Sequence, residues 1–354
     1  MEYTYEPGSY FDNRYLLKEF KGSGSFGEVW LAVDKQTELE VAIKIYITMD
    51  TQGLKNFIEE YKLPFNLNHT NLLHANYLGI CQTDNRPYLV MPFCSMGSAS
   101  RYIGNITEEK LWVFIRDVAS GLAYLHSQNP PIIHQDIKPD NILIANNGDF
   151  VITDFGISKQ VRSTLRKSVM KLDSAGAIAY MGPERFLANY TSIKSSDIWS
   201  LGATIYELAE GTLPFSGYGG SFLNHGADMP QLSDGFSDNL NRLMQACLKK
   251  EPWDRPIAEE LATYANFKVK GITPETPAWM QETEIKEQPP TPPGNPPVLP
   301  SNETDETSGY KEKEPDNGKE KEPDSGKKSQ NSVLPWVLTV AIGIILGAIA
   351  RLLI

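Results

Sequence analysis

Cysteine is scarce in this chain: Cys81, Cys94 and Cys247 are the three thiols among 354 residues. They are widely spaced and odd in number, which excludes a disulfide framework and a zinc cluster and fits reduced thiols in a cytosolic domain. Positive charge is also short. The chain has 33 Lys and Arg against 44 Asp and Glu, a net charge of −11. No long basic stripe offsets that balance, so a nucleic-acid surface is not expected. The N-terminal stretch MEYTYEPGSYFDNRY lacks both an apolar run and a basic start, so no signal peptide is expected there. Residues 271–332 have almost no aliphatic content and are rich in Pro, Glu, Lys, Ser and Asn. That mix cannot offset the entropy of folding and predicts a disordered linker. Within it, KEKEPDNG from Lys311 is followed at once by KEKEPDSG from Lys319, a mixed-charge spacer. A flexible linker of this length spans roughly 45 Å root-mean-square.

What is present is enough for a full core: 41% of residues are hydrophobic, an ordinary globular share. One apolar run stands apart. Residues 333–350, VLPWVLTVAIGIILGAIA, carry no charge. A bilayer core about 30 Å thick takes about 20 helical residues, so 333–353 is predicted to span a membrane. Gly343 and Gly347 form a G-x-x-x-G that could pair two such helices into a homodimer.

Between the termini, residues 1 to about 270 alternate strand-like and helix-like patterns. YLLKEFKG, EVWLAVD, EVAIKIYI, NYLGICQ and RPYLVMPF are β-branched or aromatic runs bounded by Gly, Asp and Asn. QGLKNFIEEYKL reads as a helix among them, and Pro64 should end or kink it. After residue 97 the pattern turns helical. Leu111, Ile115, Val118, Leu122 and Leu125 line one helix face, and SSDIWSLGATIYELAEG reads as a strongly apolar central helix. A small sheet lobe before a larger helical lobe leaves a cleft, a usual place for a ligand.

Four motifs carry chemistry. GSGSFGEV places Gly22, Gly24 and Gly27 in a G-x-G-x-x-G. Glycine lets backbone N–H groups approach a phosphate. Here the motif runs from strand into strand, which disfavours a dinucleotide fold, where it runs into a helix. VAIK puts Lys44 in a strand of buried residue types, where a lone lysine is costly unless paired; Glu60 or Glu59 on the following helix can pair with it. IIHQDIKPDNILI brings Asp136, Lys138 and Asn141 into one loop, and ITDFG sets Asp154 at a strand end, where a carboxylate suits Mg²⁺.

Taken with GPE at 182–184 and SDIWSLG, these motifs occur in order and at workable spacings. The chain resembles the eukaryotic-type (Hanks-type) serine/threonine protein kinases over residues from about 15 to 267. The resemblance implies an α+β, bilobal protein-kinase-like domain at 15–270, with a β-rich N-lobe at about 15–93 and an α-helical C-lobe at about 94–270. The linker 271–332 and the transmembrane helix 333–353 follow. It implies transfer of the γ-phosphate of ATP to serine or threonine hydroxyls of protein substrates, autophosphorylation included, with Mg²⁺, or Mn²⁺ in its place, as cofactor. Asp136 matches the catalytic aspartate that accepts the hydroxyl proton, and Lys138 the lysine that contacts the γ-phosphate. Asn141 and Asp154 match the metal ligands. Lys44 would hold the α- and β-phosphates, fixed by Glu60, whose spacing to Leu67 and His69 matches the family. Met91 resembles the gatekeeper. Pro92, Phe93 and Cys94 resemble the hinge, and Val29, Ala42 and Leu143 would sandwich the adenine. Glu184 and Arg255 look like the family's buried ion pair, and Asp197 the anchor of the catalytic loop.

Three positions depart from the family. Gln135 replaces the Arg that binds an activation-loop phosphate, so activity without obligatory phosphorylation at Ser163, Thr164 or Ser168 is expected. Ala177 replaces a Thr that helps hold the aspartate and lysine. Pro64, one turn after Glu60, could make the Lys44–Glu60 pair conditional. The short remainder after 353, with Lys327 and Lys328 before the span, implies a tail anchor with the kinase in the cytoplasm, as in a bacterial inner membrane. The rival readings are a pseudokinase or nucleotide-binding scaffold, and a small-molecule kinase of similar fold.

Overall fold

Alternation of side chains along β-branched and aromatic runs builds one antiparallel sheet. Its strands are β1 (Tyr10–Phe11), β2 (Tyr15–Gly24), β3 (Gly27–Asp34), β4 (Glu40–Tyr46), β5 (Tyr77–Ile80) and β6 (Pro87–Pro92), in the order β1-β2-β3-β4-β6-β5. This computed structural model describes residues 5–24, 27–155, 178–187, 190 and 193–281. The chain divides into two compact units, Met1–Ile285 and Lys286–Ile354, and all described residues lie in the first. The five strand runs of the sequence appear as β2 to β6. The two-residue β1 was not expected; it pairs with β2 and buries Phe11 beneath the edge-on ring of Tyr88, 4.9 Å away.

The sheet's two faces divide by the period of two. Val41, Ile43 and Ile45 of β4 pack with Trp30, Tyr88 and Val90. Ala42 and Tyr46, on the other face, pack with Leu89, Met91, Phe57 and Val151. Lys44 lies between Ala42 and Tyr46 on that second face, so the strand's own alternation turns its side chain away from Val41, Ile43 and Ile45. Helix α1 (Thr51–Phe65) ends one residue past Pro64 and sets Phe57 edge-on against Tyr46 at 4.7 Å.

The helical lobe is built around α2 (Glu108–Ser127) and α3 (Lys194–Glu210). Thr107 caps α2 by accepting the Lys110 N–H, and Glu108 and Glu109 favour its positive N-terminal end. Leu111, Ile115, Val118, Leu122 and Leu125 are all fully buried, as their spacing predicts. Ile198, Trp199, Leu201, Ala203, Ile205 and Leu208 are buried all round α3, which makes it central; Gly211, at φ 73°, ends it in the left-handed conformation. The short α4 (Gly220–Asn224), α5 (Asp238–Cys247) and α6 (Ala258–Val269) complete the lobe. Between α2 and α3 lies a hairpin, β7 (Ile142–Ile144) and β8 (Phe150–Ile152); β8 is the strand expected to end just before Asp154, and its pairing with β7 is what the sequence pattern does not disclose. Asn71 and Leu73 bond the backbone of Ile152 at 2.9 and 2.8 Å, tying the chain after α1 to this hairpin.

One expectation changes, and one falls outside the described residues. The packed part of the chain runs past residue 270, into the stretch expected to be linker. Residues 272–281 pack on the helical lobe: Met280 is buried, Trp279 meets Tyr264 edge-on at 5.8 Å, and Lys249 Nζ donates to the Trp279 carbonyl at 3.0 Å. Two large apolar side chains anchor a segment whose average composition reads as disordered. Among the described residues no helix is long and apolar enough to cross a membrane; the expected span 333–353, with Gly343 and Gly347, lies outside them.

Candidate active site

The floor of the cleft is held by one buried carboxylate. Asp197, fully buried on the first turn of α3, accepts the backbone N–H of His134 at 2.9 Å and of Gln135 at 2.7 Å, and bonds His126 Nε2 at 2.9 Å. His134 continues the scaffold. Its Nδ1 accepts the Asp136 N–H at 3.3 Å, so its Nε2 is the protonated nitrogen and donates to the Thr153 carbonyl at 2.8 Å. The Thr153 N–H in turn donates to the Asn141 carbonyl at 3.0 Å. The loop carrying Asp136 and the strand end carrying Asp154 are therefore fastened to each other by backbone and imidazole bonds.

On this floor the polar side chains converge. Asn141 Nδ2 donates to Asp136 Oδ2 at 2.9 Å and to the Asp136 carbonyl at 2.7 Å. Lys138 Nζ lies 3.3 Å from the same Oδ2. A cation and an amide thus orient one carboxylate while it stays open to the cleft, with about a quarter of its side chain exposed.

The roof supplies Lys44. Its side chain is 92% buried, and its Nζ meets Asp154 Oδ1 at 2.5 Å across the cleft. The sequence paired Lys44 with Glu60; the structure gives the lysine Asp154, and the Glu60 side chain lies outside the described residues. Asp154 stands at φ 62°, a left-handed conformation rare outside glycine, which marks the strand end as a constrained site. Its carboxylate and the Asn141 amide oxygen are hard oxygen donors brought close by the Thr153–Asn141 backbone bond. That donor set fits Mg²⁺.

Beside Lys44, the glycine motif forms the β2–β3 hairpin, with Gly22 facing Val29 and Gly24 facing Gly27 in register. The strand-to-strand course expected of it is observed. Gly27, at φ 145°, has no room for a side chain: a Cβ there would lie 2.0 Å from the Ile45 carbonyl oxygen. Ser25 and Phe26 at the tip lie outside the described residues. Val29 pairs with Lys44, and Ala42 with Met91, across the strands. Ala42, Met91, Cys94 and Leu143 then share one apolar cluster, although Leu143 comes from the helical lobe. Of the residues expected to sandwich a flat base, Ala42 and Leu143 are thus brought together with Met91 and Cys94, while Val29 is not part of that cluster. Phe93 sits at the same exit from β6, its ring under Lys21 Nζ at 5.3 Å, and burial pushes the Cys94 thiol up from its ordinary pKa.

Glu184 and Arg255 form a bidentate pair, 3.0 and 2.8 Å. Burial pushes the Glu184 carboxyl up, but the Arg255 bonds and charge, with Ser196, outweigh it and hold the group below its ordinary value. Sequence reasoning passed over His126 and Arg185, whose Nη1 donates to the Gln135 carbonyl at 3.0 Å. Nothing in their spacing marks them, since their partners lie far along the chain. Gly156, Ser163, Thr164, Ser168 and Ala177 lie outside the described residues.

Comparison with known proteins agrees with this geometry. The protein kinase domain family matches residues 15–267. Sporulation-specific protein 1 of Saccharomyces cerevisiae is 35% identical over 275 residues, covering 73% of this chain and 53% of that protein. Serine/threonine-protein kinase dst1 of Dictyostelium discoideum is 33% identical over 264 residues, 72% of this chain and 35% of its own. Mitogen-activated protein kinase kinase kinase 3 of Arabidopsis thaliana is 32% identical over 254 residues, 69% of this chain and 41% of its own. The chain spans about half the length, or less, of these relatives.

Proposed function

This chain belongs to the protein kinase domain family, with serine/threonine kinases among its similar relatives, and on that premise we propose that it transfers the γ-phosphate of ATP to serine and threonine hydroxyls of protein substrates. One observation carries the proposal: Lys138 and Asn141 converge on one carboxylate oxygen of Asp136, and the Asn141 carbonyl bonds the N–H of Thr153, the residue before the Asp154 that meets Lys44. Phosphoryl transfer is mostly positioning and charge neutralisation, and this set supplies both.

In that reaction Asp136 orients the acceptor hydroxyl and takes its proton as the oxygen attacks the γ-phosphorus and the bond to the bridging oxygen breaks, releasing ADP. Lys138 lies beside it to meet the negative charge of the transferred group. Lys44 binds the α- and β-phosphates, and Gly22, Gly24 and Gly27 let the hairpin backbone lie against the triphosphate. Ala42, Met91, Leu143 and Val29 hold the adenine against water, with Phe93 and Cys94 at the hinge. Asn141 and Asp154 hold Mg²⁺, which when bound neutralises phosphate charge.

The test is transfer of label from γ-labelled ATP to a generic protein, compared between wild type and Asp136→Asn. Loss of transfer by on the order of 10²–10⁴-fold is expected for removal of a proton acceptor. Equal transfer by both proteins, or transfer to free metabolites in place of protein, would overturn the proposal. Self-labelling of the wild type in the same gel reads autophosphorylation.

We further propose that residues 333–353 anchor the chain in a membrane with the kinase domain on the cytoplasmic side. The support is the uncharged apolar run and the lysines before it. The full chain should resist alkaline extraction from membranes, and a chain ending at Ile285 should not; extraction of both refutes the anchor. Pairing of the anchors through Gly343 and Gly347 would make self-labelling independent of concentration in detergent.

A further inference from the structure

We propose that Arg185 is a positioning residue for Asp136, clamping the peptide group that precedes the proton-accepting side chain. A peptide group is planar, so holding its oxygen and its N–H holds the Cα that follows. Arg185 Nη1 donates to the Gln135 carbonyl at 3.0 Å, and the Asp136 N–H donates to His134 Nδ1 at 3.3 Å. Both ends of that one peptide are taken.

The residue before the acid needs such a clamp. Gln135 stands at φ 69°, a conformation that a residue other than glycine keeps only when its surroundings over-determine it. Its N–H is held by Asp197 Oδ1 at 2.7 Å. Its carbonyl is held by Arg185. Each bond has a charged partner, the stronger kind of hydrogen bond. The side chain at 135 is a neutral amide, so the guanidinium beside this peptide comes from the 183–186 turn.

Arg185 is itself held in place. It follows Glu184, which the bidentate bond to Arg255 fixes. Its guanidinium lies over the Tyr190 ring, 5.5 Å from the centroid, and the Tyr190 hydroxyl donates to Ser196 Oγ at 3.2 Å. Ser196 Oγ donates to Glu184 Oε1 at 2.8 Å, closing the circuit. The clamp therefore couples the segment around the GPE motif to the aim of Asp136. A disturbance of that segment reaches the acid through one hydrogen bond.

The experiment compares Arg185→Met and Arg185→Lys with wild type in the full chain, and its kinetic half rests on the phosphotransfer proposed above. Without nucleotide, amide exchange at residues 133–137 should accelerate about tenfold in R185M, because opening of that peptide loses its brace. With ATP and a generic protein substrate, kcat should fall about tenfold to a hundredfold, the loss of one charge-assisted bond to a positioned group, while KM for ATP stays within about twofold. R185K keeps a charge and a donor without the planar fork, and should regain at least about threefold of the lost kcat. Unchanged exchange in R185M overturns the clamp. So does a lowered melting temperature with kcat intact, or R185K no better than R185M. Should R185M fail to fold, Arg185→Gln carries the same comparison. A wild type that transfers no phosphate while exchange still responds would refute the kinase activity and leave the clamp standing.

Discussion

Two ion pairs of this molecule, one enclosed and one open to the cleft on its acid side, do opposite things. Around Glu184 and Arg255, every charged atom is enclosed: the guanidinium bonds both carboxylate oxygens and the carbonyls of Ser195, Lys249 and Lys250, and it stacks on Trp199 at 5.0 Å. Around Lys44 and Asp154 the contact runs through one carboxylate oxygen, and the acid's side chain is 30% exposed to the cleft. A pair whose groups are saturated on all sides can only hold the fold. A pair facing the cleft can exchange its partner for a ligand's charge. The difference lies in the surroundings, since both are ordinary acid–base pairs in the sequence.

The largest effect should come from the cleft-facing pair. Lys44→Met should cut phosphate transfer by on the order of 10²–10³-fold, the size expected when one preorganised charge is removed. Its melting temperature should move little, because Asp154, with 30% of its side chain open to the cleft, can turn to solvent, and methionine fills the space of the buried lysine stem. Large destabilisation with activity retained would reverse the assignment of roles.

Arg255→Met should do the converse. It leaves Glu184 buried and unpaired, at a cost of about 3–5 kcal/mol, read as a lower midpoint in urea. A midpoint within error of wild type would remove the distinction between the pairs.

Acid should probe the enclosed pair through stability. The Glu184 carboxyl is depressed in the folded state, so its stabilisation is complete above its ordinary value near 4.5 and is lost as pH falls through the lower folded value. Asp34 behaves alike. Its pKa falls from 3.8 to about 2 mainly through the bonds from Arg14, with burial opposing. Its contribution, on the order of 1–2 kcal/mol after allowing for the solvent at Arg14, goes between about pH 4 and pH 2. The acid branch of the stability curve should thus begin below about pH 4.5, and R255M should flatten its upper part. A wild-type curve that is flat from pH 5 to pH 2 contradicts both pairs.

The smallest effect concerns the activation segment. Position 135 holds a glutamine, which cannot pair with a phosphate as Arg does. Replacing Ser163, Thr164 and Ser168 together by Ala should therefore leave transfer within about tenfold of wild type, ~1.4 kcal/mol in the barrier. A greater loss would show that phosphorylation in the segment is required after all.

Much of this was legible in the residues. The five strand runs and the face from Leu111 to Leu125 follow from periodicity, which is a local property of the chain. So does the glycine hairpin, whose motif falls between two strand runs. Asp136, Lys138 and Asn141 lie within one loop, so their convergence needed no long-range information. What escaped was non-local or too short to be periodic: β1, the pairing of β7 with β8, the burial of Met280, and the anchoring of Trp279 against Tyr264 and Lys249. Arg185 escaped because its partner lies 50 residues away.

The sequence by itself determined which chemical groups this protein has and the elements that carry them, because residue type and period act over a few neighbours at a time. Tertiary structure alone decided which partner each charge meets. Lys44 found Asp154 110 residues on, and Asp197 gathered His126, His134 and Gln135. Burial makes an unpaired charge costly wherever it sits, but it is the packing of the lobes that determines which opposite charge lies within reach.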